Sequence, residues 1–303
     1  MKLINVPIEP LDERYSTQWR QWFAAEFQKA KVDVTTVGGN LLTRGIECGA
    51  FLDAFGTNFY KSQQMAKIVE LLYYQRDFDV VFFHDLWFPG IEALRYIRDL
   101  AGLKFKIMGC LHAGTWDPHD FLTQKIDDVW ISFFEMNMLD CVDKIFVATQ
   151  FHKRLILEHV QKWAPHPQNI RTKICVTGFP IYADEIIHST IKTTSKQPNL
   201  IVFPHRLDPE KCPEKFNALA ATDTDHLFEW VESKEVCSNK ADYYNLLSRA
   251  SYAISFAKQE TWGIAMQEAT FQGCIPLVPA RLSYTEMYPV QLQITDDLTM
   301  LWA

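Results

Sequence analysis

Residues 257–278 read AKQETWGIAMQEATFQGCIPLV, and their pattern is that of a loop, a helix and a strand. The apolar run at 252–256 just before them predicts a strand, and 275–278 predict another. Between the two strands, residues 264–272 predict a helix, which the following glycine ends. A strand–helix–strand unit of this length pairs its strands in parallel, so the stretch predicts an α/β fold.

The same alternation of short apolar runs and longer helical stretches extends along the chain in both directions, without an internal repeat. Parallel sheets with helices on their faces are therefore predicted throughout. Strands are predicted at 78–84, 104–110, 144–148, 173–176, 199–203, 226–231, 252–256 and 275–278. Helices are predicted at 89–101, 123–140, 149–160, 212–221, 240–250 and 264–272.

A polar stretch without periodicity, 188–198, predicts a linker between two domains. We therefore expect two doubly wound domains, 1–187 and 188–303, facing a cleft in which a ligand lies at the carboxyl ends of the strands. The short segment between Lys211 and Ser255 predicts a minimal second domain that lacks one strand–helix unit.

The composition indicates an ordinary globular protein and excludes few functions. The chain has 303 residues, of which 22% are charged, and its net charge of -7 disfavours a non-specific nucleic-acid binder. No apolar run reaches the length of a membrane span, and the first residues lack a signal peptide. The cysteines form no C-x-x-C pair, which predicts reduced thiols and a cytoplasmic protein; they lie at positions 48, 110, 141, 175, 212, 237 and 274.

Two glutamates in the opening stretch predict a ligand site. Glu260 lies in the loop and Glu268 about one turn into the helix, so both carboxylates can reach one ligand. Carboxylates accept hydrogen bonds from sugar hydroxyls. Gly263 permits close approach of the backbone, and the free N–H groups of the helix that follows favour an anion such as a diphosphate. The alternative is that both glutamates are solvated surface charges.

A second motif, FPHRLDPEK at 203–211, follows the first strand of the second half. Arg206 and Lys211 lie in the loop after that strand, where two cations can neutralise a diphosphate leaving group. Taken alone, an arginine and a lysine in a loop are also typical of an ordinary protein surface.

These motifs resemble those of the retaining GT-B glycosyltransferases, whose E-x7-E pattern runs E-G-F-G-I-x-x-x-E-A-x-x-x-G-x-P. In this chain Thr-Trp replaces the Gly-Phe of the pattern, and a histidine stands where the family usually has the glycine of G-R-L-x-x-x-K. The resemblance implies that Glu260 contacts the transferred sugar, Glu268 the ribose, and Arg206 and Lys211 the diphosphate. It also places three further residues in the donor site: Trp262, Gly263 and Ile264.

The longer string P-H-R-x-x-x-x-K-x-P-E-x-F at 204–216 is similar to the queuosine-tRNA mannosyltransferase-like branch, as is RLSYTE at 281–286. Bacteriophage glycosyltransferases that act on modified DNA bases have a similar build. The resemblance implies a UDP- or GDP-sugar donor and a modified base in tRNA or phage DNA as acceptor, in the host cytoplasm if the chain is phage-encoded. A small metabolite or a glycan is the alternative acceptor. No oligomeric state is indicated.

In the first half, His112 follows a predicted strand where GT-B members often have a histidine near the transferred sugar. Such a histidine can donate a hydrogen bond to the sugar or position the acceptor hydroxyl, so it is a catalytic candidate. His84 and Asp85 end the preceding strand and are candidates for acceptor binding. Gly38 and Gly39 are candidates for a flexible loop near the diphosphate. The alternative for His112 is a buried, hydrogen-bonded histidine.

The sequence predicts that neither a metal nor a cofactor is required. His112, Asp117, His119 and Asp120 are close in sequence, but their spacing matches neither H-E-x-x-H nor a Cys/His zinc pattern. GT-B enzymes usually stabilise the leaving diphosphate with cationic side chains, so a metal-independent enzyme is expected. The resemblance also implies a front-face transfer with retention, in which no protein nucleophile is required.

Several other interpretations stay open or are disfavoured. The same fold also serves epimerases and non-catalytic nucleotide-sugar binders. A dehydrogenase is disfavoured because no G-x-G-x-x-G follows an early strand.

The aromatic residues of the opening segment have helical spacing, which predicts core packing, with a stacking platform for a base or sugar as the alternative; they are Trp19, Trp22, Phe23 and Phe27. The chain ends soon after the last predicted strand, so either a minimal enzyme or a trimmed one is expected.

Overall fold

The protein is described by a computed structural model that covers residues 1–10, 15–42, 53–190 and 195–295. It divides into two compact units, Met1–Pro180 and Ile181–Ala303. The sequence places the boundary between 187 and 188. The division falls earlier because the helix Ala183–His188 packs within the second unit, where the Gln272 amide donates to the Ile186 carbonyl. Cys48, residues 191–194 of the predicted linker and the chain end at 301–303 lie outside the described residues.

The first unit is a parallel sheet in the order β2-β1-β3-β4-β5-β6, as far as its described residues show. Its strands are β1 (Lys2–Val6), β2 (Asp33–Thr36), β3 (Val80–Phe83), β4 (Lys106–Cys110), β5 (Lys144–Val147) and β6 (Ile174–Val176). Its helices are α1 (Tyr15–Lys29), α2 (Ala54–Tyr74), α3 (Ile91–Leu100), α4 (Phe121–Lys125), α5 (Asp128–Cys141), α6 (Gln150–Trp163) and α7 (Pro167–Arg171).

The second unit is a five-stranded parallel sheet in the order β11-β10-β9-β7-β8, again within the described part of the chain. Its strands are β7 (Gln197–Phe203), β8 (Glu229–Glu232), β9 (Ala250–Ile254), β10 (Ile275–Pro279) and β11 (Gln293–Ile294). Its helices are α8 (Ala183–His188), α9 (Pro213–Ala220), α10 (Ser233–Val236), α11 (Lys240–Arg249), α12 (Ile264–Phe271) and α13 (Tyr284–Met287), with 3-10 turns at Pro209–Lys211 and Val290–Leu292.

Both sheets follow the doubly wound pattern that the alternation of elements predicted. The central strands are buried on both faces, as Ile4, Val81 and Ile107 illustrate with no exposed surface. In the first sheet β1 lies between β2 and β3, and in the second sheet β7 lies between β8 and β9. Each sheet therefore has a switch point, between β1 and β3 and between β7 and β9, where ligands bind in open α/β sheets.

The structure differs from the prediction in the first unit. The sequence predicts neither the strands β1 and β2 nor the long helix α2. The single helix predicted at 123–140 is divided into α4 and α5, because the Asp127 carboxylate caps a new helix by accepting from the Trp130 N–H at 2.9 Å.

The packing of the tryptophans of α1 distinguishes between a role in the core and a stacking platform for a base or sugar. Trp19 and Trp22 are buried, and Trp19 contacts the rings of His112 and Phe179 at centroid distances of 4.7 and 5.4 Å. This placement makes them part of the core. None of the helices within the described ranges is both long enough and apolar enough to cross a bilayer.

Candidate functional site

The two motifs of the second unit meet at the switch point between β7 and β9. Lys211 ends the 3-10 turn after β7, and Glu260 lies in the loop after β9. The Lys211 ammonium donates to the Gln259 carbonyl at 2.6 Å and pairs with the Glu260 carboxylate at 3.2 Å. Residues that are 49 positions apart in the sequence therefore form one contact.

The Glu260 carboxylate also organises the loop that contains it. Its Oε1 atom accepts from the backbone N–H groups of Thr261, Trp262 and Gly263 at 3.1, 3.2 and 2.8 Å. Burial raises the pKa of this carboxyl, but the Lys211 charge and the Gly263 and Trp262 N–H groups outweigh it and lower the pKa to about 2. Glu260 is therefore ionised at neutral pH.

The beginning of α12 retains anion-binding capacity despite this cap. The sequence predicts free N–H groups here, and Gly263 uses its own on Glu260. The next three N–H groups, of Ile264, Ala265 and Met266, have no hydrogen-bond partner among the described residues. Three N–H groups at a helix N-terminus favour a negatively charged ligand.

Position 263 requires a glycine because of its backbone conformation and because of the nearby Tyr284 ring. Its φ is +61°, in the left-handed region, and a Cβ built on it lies 2.9 Å from Cε1 of Tyr284. Tyr284 is fully buried, and its hydroxyl and that of Ser255 share a hydrogen bond of 3.1 Å. The close approach at Gly263 thus results from packing against the tyrosine of the segment RLSYTE.

The segment RLSYTE also forms hydrogen bonds with the backbone of the Glu260 loop. The Arg281 guanidinium donates to the carbonyls of Ala257 and Phe256 at 3.1 and 3.0 Å, and the Ser283 hydroxyl donates to the Glu260 carbonyl at 3.2 Å. The similarity of 281–286 to R-L-x-Y-P-E therefore corresponds to residues that fix the backbone of the loop.

Arg206 lies on the same side of the sheet but is paired with acids from its own loop. Its Nε contacts the Asp208 carboxylate at 2.8 Å, and one terminal nitrogen contacts Glu210. With Lys211 paired to Glu260, both cations of the predicted diphosphate site have carboxylate partners. The motif spacing predicts that Arg206 lies in this loop, but it does not predict that Asp208 and Glu210 pair with it.

Glu268 is held in a buried network that the sequence did not predict. Its side chain is 3% exposed, and its Oε1 accepts from the Tyr244 hydroxyl at 2.8 Å and from the Lys240 ammonium at 2.5 Å. Lys240 also lies over the rings of Tyr243 and Tyr244. Both of these contacts are made by Oε1. Tyr243 also forms a side-chain hydrogen bond with Glu268.

In the first unit, His112 follows β4 and uses both ring nitrogens within the unit. Its Nε2 donates to the His84 carbonyl at 2.7 Å, and its Nδ1 lies 3.2 Å from the Tyr15 hydroxyl. The ring stacks on Phe179. Burial lowers the pKa of His112, although nearby Asp85 opposes this. A neutral imidazole with two occupied nitrogens favours positioning of a ligand over proton transfer.

His84 and Asp85 end β3 and have different surroundings. His84 has no exposed surface, its Nε2 lies 2.8 Å from Oδ1 of Asn5, and burial lowers its pKa to about 3. Asp85 is partly exposed and pairs with Lys61 of α2 at 3.4 Å. Of the two, only Asp85 has an exposed part of its side chain, and the buried Lys61 is a neighbour that the sequence did not identify.

Gly38 and Gly39 pack against α2. A Cβ on Gly39 lies 2.5 Å from the Tyr60 carbonyl oxygen, whereas one on Gly38 is 3.5 Å from the Tyr60 hydroxyl. The Gly38 carbonyl accepts from Lys67 at 2.7 Å. The lack of space at Gly39 gives the pair a packing reason that does not involve a diphosphate.

A buried carboxyl supports the loop after β4. Glu135 has no exposed surface, and it accepts from the Thr115 N–H and hydroxyl. The Thr115 hydroxyl also lies 2.8 Å from Nε2 of His159. Burial raises the pKa of Glu135 to about 8, so the carboxyl is largely protonated at neutral pH.

No group of three or more His, Cys, Asp or Glu side chains is placed to hold a metal ion within the described ranges. Asp117 accepts from the His119 N–H at 2.9 Å, and Asp120 accepts from Leu122 at the start of α4. These carboxylates shape the loop before α4. That the protein needs no metal stays a prediction.

The chain resembles a known transferase in sequence. It is 26% identical over 239 residues to a tRNA-queuosine alpha-mannosyltransferase of Drosophila melanogaster, in an alignment that covers 64% of this chain and 63% of that protein. The chain therefore spans less than two thirds of the length of this relative. No protein-family model matches it.

The structure resembles solved glycosyltransferases over nearly its whole length. The catalytic domain of starch synthase IV from Arabidopsis thaliana, bound to ADP and acarbose, superposes with a TM-score of 0.68 at 10% identity, covering 100% of this chain and 90% of that one. Sucrose-phosphate synthase from Thermosynechococcus elongatus gives 0.64 at 11% identity, covering 99% and 87%. The fold is GT-B. The predicted GT-B fold is thus confirmed, as is the resemblance to a queuosine-tRNA mannosyltransferase.

We predict that Gly263→Ala destabilises the second unit and impairs the site. The left-handed backbone costs an alanine about 1–2 kcal/mol, and the contact with Tyr284 adds to that cost. Thermal denaturation measures the change. Gly102→Ala is the matched control, because Gly102 has a similar φ of +67° with no atom within 4 Å of a built Cβ. Equal losses in the two variants would contradict a role for Tyr284.

We also predict that Glu135→Gln removes a pH dependence of stability. The folded-state pKa is raised from 4.5 to about 8, so Glu135 contributes stability that is fully present below pH 4.5 and is lost as pH rises through 8. The amide cannot ionise, so the variant gains relative to the unaltered protein between pH 5 and 8. Urea midpoints across that range measure the difference.

The exposed Glu158→Gln on α6 is the control for Glu135→Gln, and it is expected to leave the pH profile of stability unchanged. Parallel profiles for Glu135→Gln and the unaltered protein would mean that Glu135 is already ionised in the folded state.

Proposed function

We propose that this protein is a glycosyltransferase that transfers a sugar from a nucleoside diphosphate sugar to a hydroxyl of a modified nucleobase in tRNA. The contact between Lys211 and Glu260 is the observation that carries the proposal. It joins the two motifs whose chemistry suits a diphosphate and a sugar, at the switch point of a parallel sheet.

The donor is proposed to lie across the loops that follow β7 and β9. An ammonium group has three N–H donors, and Lys211 uses two of them on Gln259 and Glu260, which leaves one for a phosphate oxygen. The unpaired N–H groups at the start of α12 supply further donors. The Glu268 carboxylate accepts from a ribose hydroxyl, and Glu260 faces the sugar.

Transfer is proposed to proceed by stabilisation of the leaving diphosphate. As the bond between the sugar and the phosphate breaks, negative charge develops on the phosphate oxygen, and fixed N–H donors around it lower the barrier. Arg206 is held in place by Asp208 and Glu210 for the same purpose. We expect retention of configuration, with the acceptor proton passing to a phosphate oxygen, and no bound metal.

The acceptor is proposed from the similarity to the Drosophila protein, which is named for transfer to queuosine in tRNA. The first unit offers a cavity of about 460 Å³ beside the ends of β1 and β2. Arg20 lies in its wall and has no ion-pair partner in the described part of the chain, so it can contact a phosphate. The other lining residues are Asn5, Pro10, Thr17, Gln21, Ala24 and Thr36.

Donor binding tests the proposal first. We expect one of UDP, GDP and ADP, or its mannose or glucose derivative, to raise the melting temperature of the protein, and we expect Glu268→Ala to abolish the rise. Glu229→Ala, an exposed glutamate on β8, should behave like the unaltered protein. A flat response of the folded, unaltered protein to the whole panel would contradict a donor site. Binding without any sugar transfer would favour a non-catalytic nucleotide-sugar binder.

Acceptor class is tested by a gel shift with total tRNA and with duplex DNA at several salt concentrations. We expect tRNA to bind more tightly, with an affinity that falls as salt rises. Arg20→Ala should weaken tRNA binding and reduce the salt dependence, because one phosphate contact is lost. Tighter binding to DNA would favour the modified DNA base, and binding to neither would favour a small metabolite or a glycan.

A further inference from the structure

His205 lies two residues after the end of β7, between Pro204 and Arg206, in the proposed donor site. Its imidazole has no hydrogen-bond partner in the described part of the chain. It is 4% exposed, and its ring packs edge-on against Phe203 at a centroid distance of 5.2 Å. Neither ring nitrogen forms a hydrogen bond with any residue in the described ranges, and Nε2 is fully buried.

Two other buried histidines show that this is unusual within the molecule. His84 uses Nε2 on Asn5, and Nδ1 of His152 accepts from the Ala148 N–H at 3.4 Å. Each leaves only one nitrogen unbonded. A neutral imidazole has one N–H donor and one acceptor nitrogen, and a buried donor without a hydrogen bond costs folding free energy. Packing against Phe203 does not require that cost, since leucine fills a similar volume.

The charges around the ring place it within the proposed donor site. Burial lowers the pKa of His205 to about 3, the Lys211 and Arg206 cations lower it further, and only Glu260 opposes them. His205 is therefore neutral at pH 7, among the three charged residues whose motifs suit a diphosphate and a sugar. A neutral ring there supplies a hydrogen bond without adding charge.

We propose that His205 binds the donor directly, by donating a hydrogen bond from its neutral imidazole to an oxygen of the diphosphate of the nucleotide sugar. This assignment rests on the proposed function and adds a residue to it. Both cations of the site are compensated by carboxylates, so uncharged N–H donors contribute more to binding the diphosphate, and the imidazole adds one to those of α12. The hydrogen bond strengthens as the leaving oxygen gains charge, so it acts on turnover as well as on binding.

The decisive variant is His205→Leu. It removes the unbonded N–H and keeps most of the packing volume, so we expect a melting temperature equal to or above that of the unaltered protein. We expect the affinity for whichever of UDP, GDP and ADP binds to fall about 10-fold in calorimetry, as the loss of one hydrogen bond to a charged group predicts. The rate of nucleotide release from the matching sugar donor, with total tRNA present, should fall by a larger factor.

His205→Gln and His205→Asn serve as rescues, because their amide N–H groups approximate the positions of Nε2 and Nδ1 respectively. One of the two should restore part of the affinity and the rate, and which one does so identifies the donating nitrogen. The exposed His188→Leu on α8 is the control and should change neither quantity.

The outcomes separate the two proposals. If His205→Leu binds the nucleotide and turns over like the unaltered protein, the assignment of His205 is wrong and the proposed function stands. If it loses activity only together with a marked fall in melting temperature, and neither amide restores it, His205 is a packing residue. If the unaltered protein binds none of the nucleotides, the proposed function fails, and the assignment fails with it.

Discussion

The ion pair between Lys211 and Glu260 is the contact on which the second unit's site depends. Glu260 is ionised, partly buried and capped by three backbone N–H groups, so it requires a nearby cation. Lys211 supplies that cation and at the same time holds the Gln259 carbonyl. Removing either partner leaves a charge without compensation, which costs more than the pair itself contributes. The pair therefore holds the two loops together.

This compensation bears on which groups recognise the diphosphate of the proposed donor. Arg206 and Lys211 are both matched by carboxylates, so the site does not attract an anion through excess positive charge. Uncharged N–H donors therefore contribute more to recognition, and they come from the first turn of α12 and, as we propose, from the imidazole of His205. Such donors are fixed by the backbone and by burial, so they need little reorganisation when charge develops on the leaving group.

The first unit shows a similar arrangement in its loop after β4. His112 is held by the His84 carbonyl and Tyr15, and Thr115 in the same loop is held by the buried Glu135. A protonated carboxyl is suited to this position, because it bonds to neighbours without the desolvation cost of a buried charge. The loop is thus held by side-chain hydrogen bonds at two of its residues, His112 and Thr115.

The sequence by itself determined the α/β class, most elements after residue 78 and the residue types of the proposed donor site, because hydrophobic period, glycine positions and motif spacing are local properties. It did not reveal β1 or β2, whose assignment depends on pairing with distant strands. Nor did it reveal α2, whose buried residues include polar side chains such as Lys61 and Gln64. Nor did it reveal the partners of the site residues: Lys240 for Glu268, Tyr284 for Gly263, and the unbonded state of His205. Only the tertiary structure decides these contacts, because burial and pairing bring together side chains that are far apart in the chain.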